Sequence, residues 1–342
     1  MNPIFIIGTE RSGTNLLRLI LNAHPNIAIP HPPHIMKNFF PIEPLYKDLS
    51  KDANLKRLVH DVARSVELHP YPWGIRIDAD DIIRQLRRRN LVNVYFAVYD
   101  QYLKAAGKKR WGCKSTFMIN HVALLLKYRP DAKFIYMVRD GRDVAQSAKK
   151  SIFNHYNAYY AAMLWKKEQQ TGMYWLRTLP AASIILLKYE DLVERPEESV
   201  KSVCNFLGET FEPKMLRFFE TDEAKKSGGL SVSWENTGRP ILSENVGKFR
   251  GGLRQGEIEL FEAIASEELS LFGYALSREF YLSESDRARG VKWRASYYIE
   301  EKALGLKVQM AHILKDKNNL LRFRKFMFIK YAGLRQRILN IV

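Results

Sequence analysis

The stretch Ile4–Asn15 constrains this chain more than any other. Ile4–Ile7 is an unbroken apolar run of strand length, Gly8 stops it, and Leu16–Leu21 repeats apolar residues at helical spacing. Between them lies Gly8-Thr9-Glu10-Arg11-Ser12-Gly13-Thr14-Asn15. The two glycines let the backbone curl so that successive N–H groups point inward, and the start of the helix adds its positive dipole end. That is an anion site. The pattern nearly matches the triphosphate loop G-x-x-x-x-G-K-[ST] and departs from it at two positions. Thr14 stands where Lys reaches the terminal phosphates, and Asn15 where Ser or Thr holds magnesium; Arg11 puts a cation inside the loop instead. The expected ligand is a phosphate bound without a metal, by Arg11, Ser12, Gly13, Thr14 and Asn15.

Further along, strands alternate with helices. Lys109–Cys113, Lys133–Val138 and Ser183–Lys188 have strand composition; Leu91–Ala106, Asn120–Tyr128, a segment from Gly141, Tyr156–Thr178, Pro196–Leu207 and Glu257–Leu271 have helical spacing. Tyr189-Glu190-Asp191 reads as a turn, and Gly228–Gly256, with seven glycines, as a long loop. The alternation predicts a three-layer α/β/α fold around a central, mostly parallel sheet.

A second element follows the strand at Lys133. In Lys133-Phe-Ile-Tyr-Met-Val-Arg139-Asp-Gly-Arg142-Asp143, Arg139 ends a strand, where open α/β sheets bind ligands, and Ser147 sits about two turns into the next helix. The planar fork of Arg and a hydroxyl donor suit a phosphate monoester; Arg at a strand end also suits a neighbouring Asp. Together with the first loop, these residues resemble the 3′-phosphoadenylyl-sulfate-dependent sulfotransferases. Trp111-Gly112-Cys113-Lys114-Ser115-Thr116, Leu187-Lys188-Tyr189-Glu190-Asp191-Leu192, Asn205-Phe206-Leu207-Gly208, Gly247-Lys248-Phe249-Arg250 and Leu271-Phe272-Gly273-Tyr274 continue the likeness in order, over roughly residues 3–275. The resemblance implies a P-loop-like fold, with 3′-phosphoadenylyl sulfate as donor and adenosine 3′,5′-bisphosphate as product. It implies that the first loop holds the 5′-phosphosulfate, that Arg139 and Ser147 hold the 3′-phosphate, and that Lys248 and Arg250 close over the latter. Transfer then runs in line to an acceptor hydroxyl without a metal, and Lys114 is a candidate cation near the transferred group. The acceptor expected is a carbohydrate or a lipid-linked hydroxyl, its pocket built from residues 35–90 and 150–175.

The acceptor needs a base. In Ile29-Pro30-His31-Pro32-Pro33-His34-Ile35 the prolines hold the chain extended and stiff, so a flanking imidazole can be placed reproducibly. Many bacterial members of the family show Pro-Pro-Glu here; this chain has Pro32-Pro33-His34. His34 is the first candidate and His31 the second. Their i, i+3 spacing also suits a metal, but no Cys or carboxylate cluster completes such a site. Glu190 and Asp191 are read as structural.

Charge and length bound the rest. The chain has 342 residues, with 54 Lys or Arg against 37 Asp or Glu, a net charge of +17. Anionic partners are expected. From Asp286 onward there are 14 Lys or Arg and 4 Asp or Glu, so this end carries +10 of the +17. The reading is a domain at 1–280 and a basic, mainly helical extension at 286–342. With Trp293, Tyr297, Tyr298, Phe323, Phe326 and Phe328 among its charges, the extension suits peripheral contact with an anionic membrane; alternatively its apolar stripe (Ile313, Leu320, Leu321, Phe323, Phe326) packs on the domain. Two cysteines, Cys113 and Cys204, and no apparent signal peptide point to a reducing, cytoplasmic setting. Two alternatives compete. A nucleotide kinase with a degenerate loop lacks the loop Lys, and a basic nucleic-acid-binding protein lacks any recognisable module.

Overall fold

The computed structural model describes residues 2–149, 151, 155–230, 238–277, 296–310 and 318–341. The proposed boundary between 280 and 286, Trp293 and Ile313 lie outside them. Five parallel strands, β1 (Ile4–Gly8), β2 (Ile27–Ala28), β3 (Arg110–Lys114), β4 (Lys133–Val138) and β5 (Ile184–Lys188), form one sheet in the order β2–β3–β1–β4–β5. β1 takes the centre because it is apolar on both faces, with every residue buried.

The alternation of side chains splits the core in two. Phe5, Ile7, Phe134, Tyr136 and Val138 face one layer, and Ile4, Ile6, Ile135 and Met137 face the other. The helices are α1 (Thr14–Asn22), α2 (Ile35–Phe39), α3 (Asp52–Glu67), α4 (Ala79–Gln85), α5 (Leu91–Ala106), α6 (Val122–Tyr128), α7 (Gly141–Ala148) and α8 (Ala158–Thr178). Then follow α9 (Tyr189–Glu194), α10 (Pro196–Leu207), α11 (Asp222–Leu230), α12 (Phe249–Gly252), α13 (Gln255–Leu271), α14 (residues 296–310) and α15 (Asn319–Leu339). Residues of α3, α5, α8 and α13 join the first core, those of α1 and α10 the second. The expected three-layer α/β architecture is the one observed.

Some elements differ from the sequence reading. The helix expected over Asn120–Tyr128 is a 3₁₀ segment, Thr116–His121, followed by α6. Tyr189-Glu190-Asp191 is the first turn of α9 rather than a free turn. The described part of the Gly-rich stretch holds a 3₁₀ turn at Ser243–Asn245 and the short α12. β2 was too short to read, and α3 joins the core through Leu55, Leu58, Val59, Val62 and Val66.

Helix α15 returns to the body of the protein. Lys325 Nζ donates to Pro33 O at 2.7 Å, Arg322 Nη2 to the Tyr71 hydroxyl at 2.6 Å, Arg335 Nη2 to Asp61 Oδ2 at 2.5 Å and Asn340 Nδ2 to Leu45 O at 3.0 Å. Several of its large apolar side chains face away from the domain: Leu320, Phe323, Met327, Tyr331 and Leu334 are exposed.

Candidate active site

The site lies at the carboxyl ends of the strands, beside the point where the chain order reverses across β1. Gly8 leaves β1 at φ 137°, with its backbone so close to Met137 that a Cβ would stand 2.2 Å from the Met137 carbonyl oxygen. Gly13, at φ 83°, meets the Tyr189 ring at 2.3 Å in the same sense. Only glycine fits either position. Gly13 caps α1, so the first amides of that helix open toward the loop.

Arg11 sits in the left-handed region at φ 72°. Its carbonyl oxygen accepts from Arg139 Nη1 at 2.9 Å, and its own Nε donates to Ser147 Oγ at 3.0 Å. Those bonds join the first loop to the end of β4 and to α7. Arg139 also stacks on the Tyr189 ring at 4.4 Å and donates through Nη2 to Asn245 O at 2.6 Å. Asp143 accepts from the amides of Gly247 and Phe249, both at 2.8 Å, which ties the segment with Lys248 to α7. Lys248 lines the cavity; Arg250 lies beside it over the Phe249 ring and is not among the lining residues. Glu190 accepts from the Asp140 amide and the Tyr274 hydroxyl, a bracing role for the turn that carries Arg139.

A cavity of about 750 Å³ gathers these parts. Arg11, Gly13, Thr14, Asn15, Arg139, Ser147 and Lys248 line it, together with His31, His34 and Lys114. Ser12 is buried behind the loop. Ser12 Oγ, Asn15 Nδ2 and Arg139 Nε are buried and have no hydrogen-bond partner among the described residues, so the loop and the end of β4 hold unspent hydrogen-bonding capacity.

The two histidines differ. His31 is 6% exposed, and its Nδ1 is 2.8 Å from His69 Nε2. His34 is only partly buried and begins α2 in the left-handed region, at φ 57° and ψ 37°. Its Nδ1 is enclosed and unpartnered among the described residues. Burial first, then the Lys114, Lys325 and Lys37 cations, hold the His34 imidazole well below its usual range, so it is neutral at pH 7. Burial does the same to His31 and His69. Burial also lowers Arg11 to about 10, Lys114 to about 8 and Lys325 to about 7.

Of the 35–90 segment expected to build the acceptor pocket, Asn38, His69, Pro70 and Tyr71 line the cavity; sequence reasoning missed Arg322, Lys325 and Ile329, and gave Phe326 only as part of the extension's apolar stripe. No described residue of 150–175 lines it; α8 instead packs on the sheet, where Gly172 admits the Tyr136 ring. The prolines around His69 (Pro70, Pro72) repeat the stiff setting of His31 and were the one readable signal.

Comparison with known proteins fits this arrangement. The Sulfotransferase family matches residues 3–213, which is more than half of the sequence. The chain belongs to the sulfotransferase family. It is an enzyme of that family with the family's α/β fold. Among curated relatives, a protein-tyrosine sulfotransferase 1 from Danio rerio is 25% identical over 80% of this chain and 72% of its own length. A protein-tyrosine sulfotransferase 2 from Gallus gallus is 25% identical over 80% and 70%. The same fold occurs in the sulfotransferase domain of the Synechococcus PCC 7002 olefin synthase, 22% identical with a TM-score of 0.53, covering 77% of this chain and 95% of that one. The domain from the curacin biosynthetic pathway is 20% identical, also with a TM-score of 0.53, covering 80% and 98%.

Proposed function

We propose that this sulfotransferase takes its sulfuryl group from 3′-phosphoadenylyl sulfate and delivers it to a phenolic hydroxyl. The observation that carries the reading is the single cavity joining the Arg11–Asn15 loop, Arg139 with Ser147, and His34. A 5′-phosphosulfate suits the loop, where amides at the start of α1 and Arg11 surround the space. A 3′-phosphate suits Arg139 and Ser147, with Lys248 at the rim.

In the transfer, the acceptor oxygen bonds to sulfur as the bond from sulfur to the 5′-phosphate oxygen breaks in line. The acceptor's proton passes to the neutral His34 imidazole, and the electron pair leaves with adenosine 3′,5′-bisphosphate. Charge builds on the leaving phosphate, where Arg11 and the loop amides face it. Such preorganised donors are worth about 3–4 kcal/mol each.

The character of the base suits a phenol. An imidazole held below its usual range binds a proton weakly, so it is matched to an acceptor that gives one up readily. A phenol, at about 10, does so far better than an alcohol. Lys114 and Lys325 favour the developing phenolate, and Tyr71 and Phe326 supply ring-shaped walls. The names of the curated relatives support the same class over the carbohydrate or lipid-linked hydroxyl of the sequence reading.

Calorimetry with adenosine 3′,5′-bisphosphate in EDTA, beside AMP and ATP, tests the donor. Micromolar binding that AMP does not match is expected, with more than a tenfold loss in Arg11→Ala and in Arg139→Ala. His34→Ala should keep that binding and lose transfer to a tyrosyl peptide. A preference for ATP with magnesium overturns the donor assignment, and full turnover by His34→Ala overturns the base.

A further inference from the structure

Helix α15 is amphipathic with its apolar side outward. The side chains it buries, Lys325, Ala332 and Gln336, are small or polar. Leu320, Phe323, Met327, Tyr331, Leu334 and Ile338 are all between 47% and 75% exposed. At 100° per residue these six fall within an arc of about 80°, while exposed Leu321, Phe326 and Leu339 lie outside it. Exposed cations border the stripe, Arg324 along one edge and Lys330 and Arg337 along the other, and the helix contains no Asp or Glu. Helix α14 adds exposed Tyr298, Ile299, Leu306 and Met310. No described helix is long and apolar enough to cross a membrane.

An apolar stripe of this kind suits either a second copy of the helix or lipid. A second copy would set rows of Arg and Lys against one another with no acid on either side to pair them. A lipid surface that is itself anionic meets both demands, apolar depth for the stripe and counter-charge for its borders. We propose that α15 lies along an anionic membrane surface, with Leu320–Ile338 in the headgroup boundary and Arg324, Lys330 and Arg337 on lipid phosphates. The other side of the helix carries Arg322, Lys325 and Ile329 in the cavity wall, so the bilayer would run beside the acceptor end of the site.

Co-sedimentation of the full chain with phosphatidylcholine vesicles, with and without phosphatidylserine, tests this at low and high salt. The enzyme should bind the phosphatidylserine vesicles only, and release at high salt. Arg324→Gln/Lys330→Gln/Arg337→Gln and, separately, Phe323→Ser/Leu334→Ser should each weaken binding about tenfold or more. Unchanged binding of adenosine 3′,5′-bisphosphate would show that both variants are folded, so this outcome is separable from the reaction. Equal binding to both vesicles, no binding to either, or variants that bind as the parent does would overturn the proposal. So would sedimentation analysis showing a dimer that Phe323→Ser/Leu334→Ser dissolves without any vesicle binding.

Discussion

His34 is held by the residues around it rather than by its own preference. A non-glycine residue in the left-handed region costs about 1–2 kcal/mol, so its neighbours must fix it there. Pro32 and Pro33 stiffen the approach, and Lys325 Nζ grips the Pro33 carbonyl from another part of the chain. The same ammonium stands 3.4 Å from His69 Nδ1. Lys325→Met should therefore lower kcat on the acceptor about tenfold while donor-product binding stays within about twofold. It should also move the pH profile. His34 is faced by Lys114 of β3, Lys325 of α15, Lys37 of its own helix, and the neighbouring rings of His31 and His69. Removing one cation makes the imidazolium less unfavourable, so the acid limb of kcat/KM moves to higher pH. Lys325→Arg should keep the limb in place. A limb that stays put in Lys325→Met would assign the lysine a purely structural part. The prolines made this segment legible in the sequence; Lys325, one cation in a basic run, carried no sign of where it points.

The elements divide in the same way. β1, β4 and α10 were legible because each is a contiguous run with its own period and stop signal, such as Gly8 after β1 and Gly208 after α10. The 247–249 segment was legible as a motif but not in its conformation, because what orders it is Asp143, more than a hundred residues earlier. Asp143→Ala removes the acceptor for two amides at once. Each buried donor left without a partner costs about 1–3 kcal/mol. The variant should melt several degrees lower and bind adenosine 3′,5′-bisphosphate about tenfold more weakly, as scanning calorimetry and titration would read, since Lys248 then loses its fixed place at the rim. Unaltered affinity would remove Lys248 from the donor site.

Across the whole molecule, three buried imidazoles work against acid stability, while the buried Glu168 carboxyl, raised to about 7, works the other way. His31, His34 and His69 all have folded-state values below 6.5, held there chiefly by burial. In the unfolded chain they take up protons near 6.5, and in the folded chain only at lower pH. Stability is therefore fully present above 6.5 and is lost as pH falls below it, by up to about 1.4 kcal/mol per pH unit for each ring. The melting temperature should drop steeply between pH 7 and 5, and His69→Phe, which removes one such group, should flatten the drop. An equally steep profile in that variant would place the acid sensitivity elsewhere.

The sequence by itself determined the layered α/β fold, the curled Gly8–Asn15 loop and the arginine at the end of β4. Each is written in neighbouring residues, through strand and helix periods and through glycines placed where a Cβ would not fit. Only the tertiary structure decided which groups meet around His31 and His34. Lys325 reaches His69 across 256 positions, and His69 reaches His31 across 38. It also decided that the basic helix turns its polar side inward and its apolar side out. The helix repeat fixes which residues share a face; which face is buried depends on the partners it docks against, Asp61, Tyr71 and the Pro33 carbonyl, all distant in the chain.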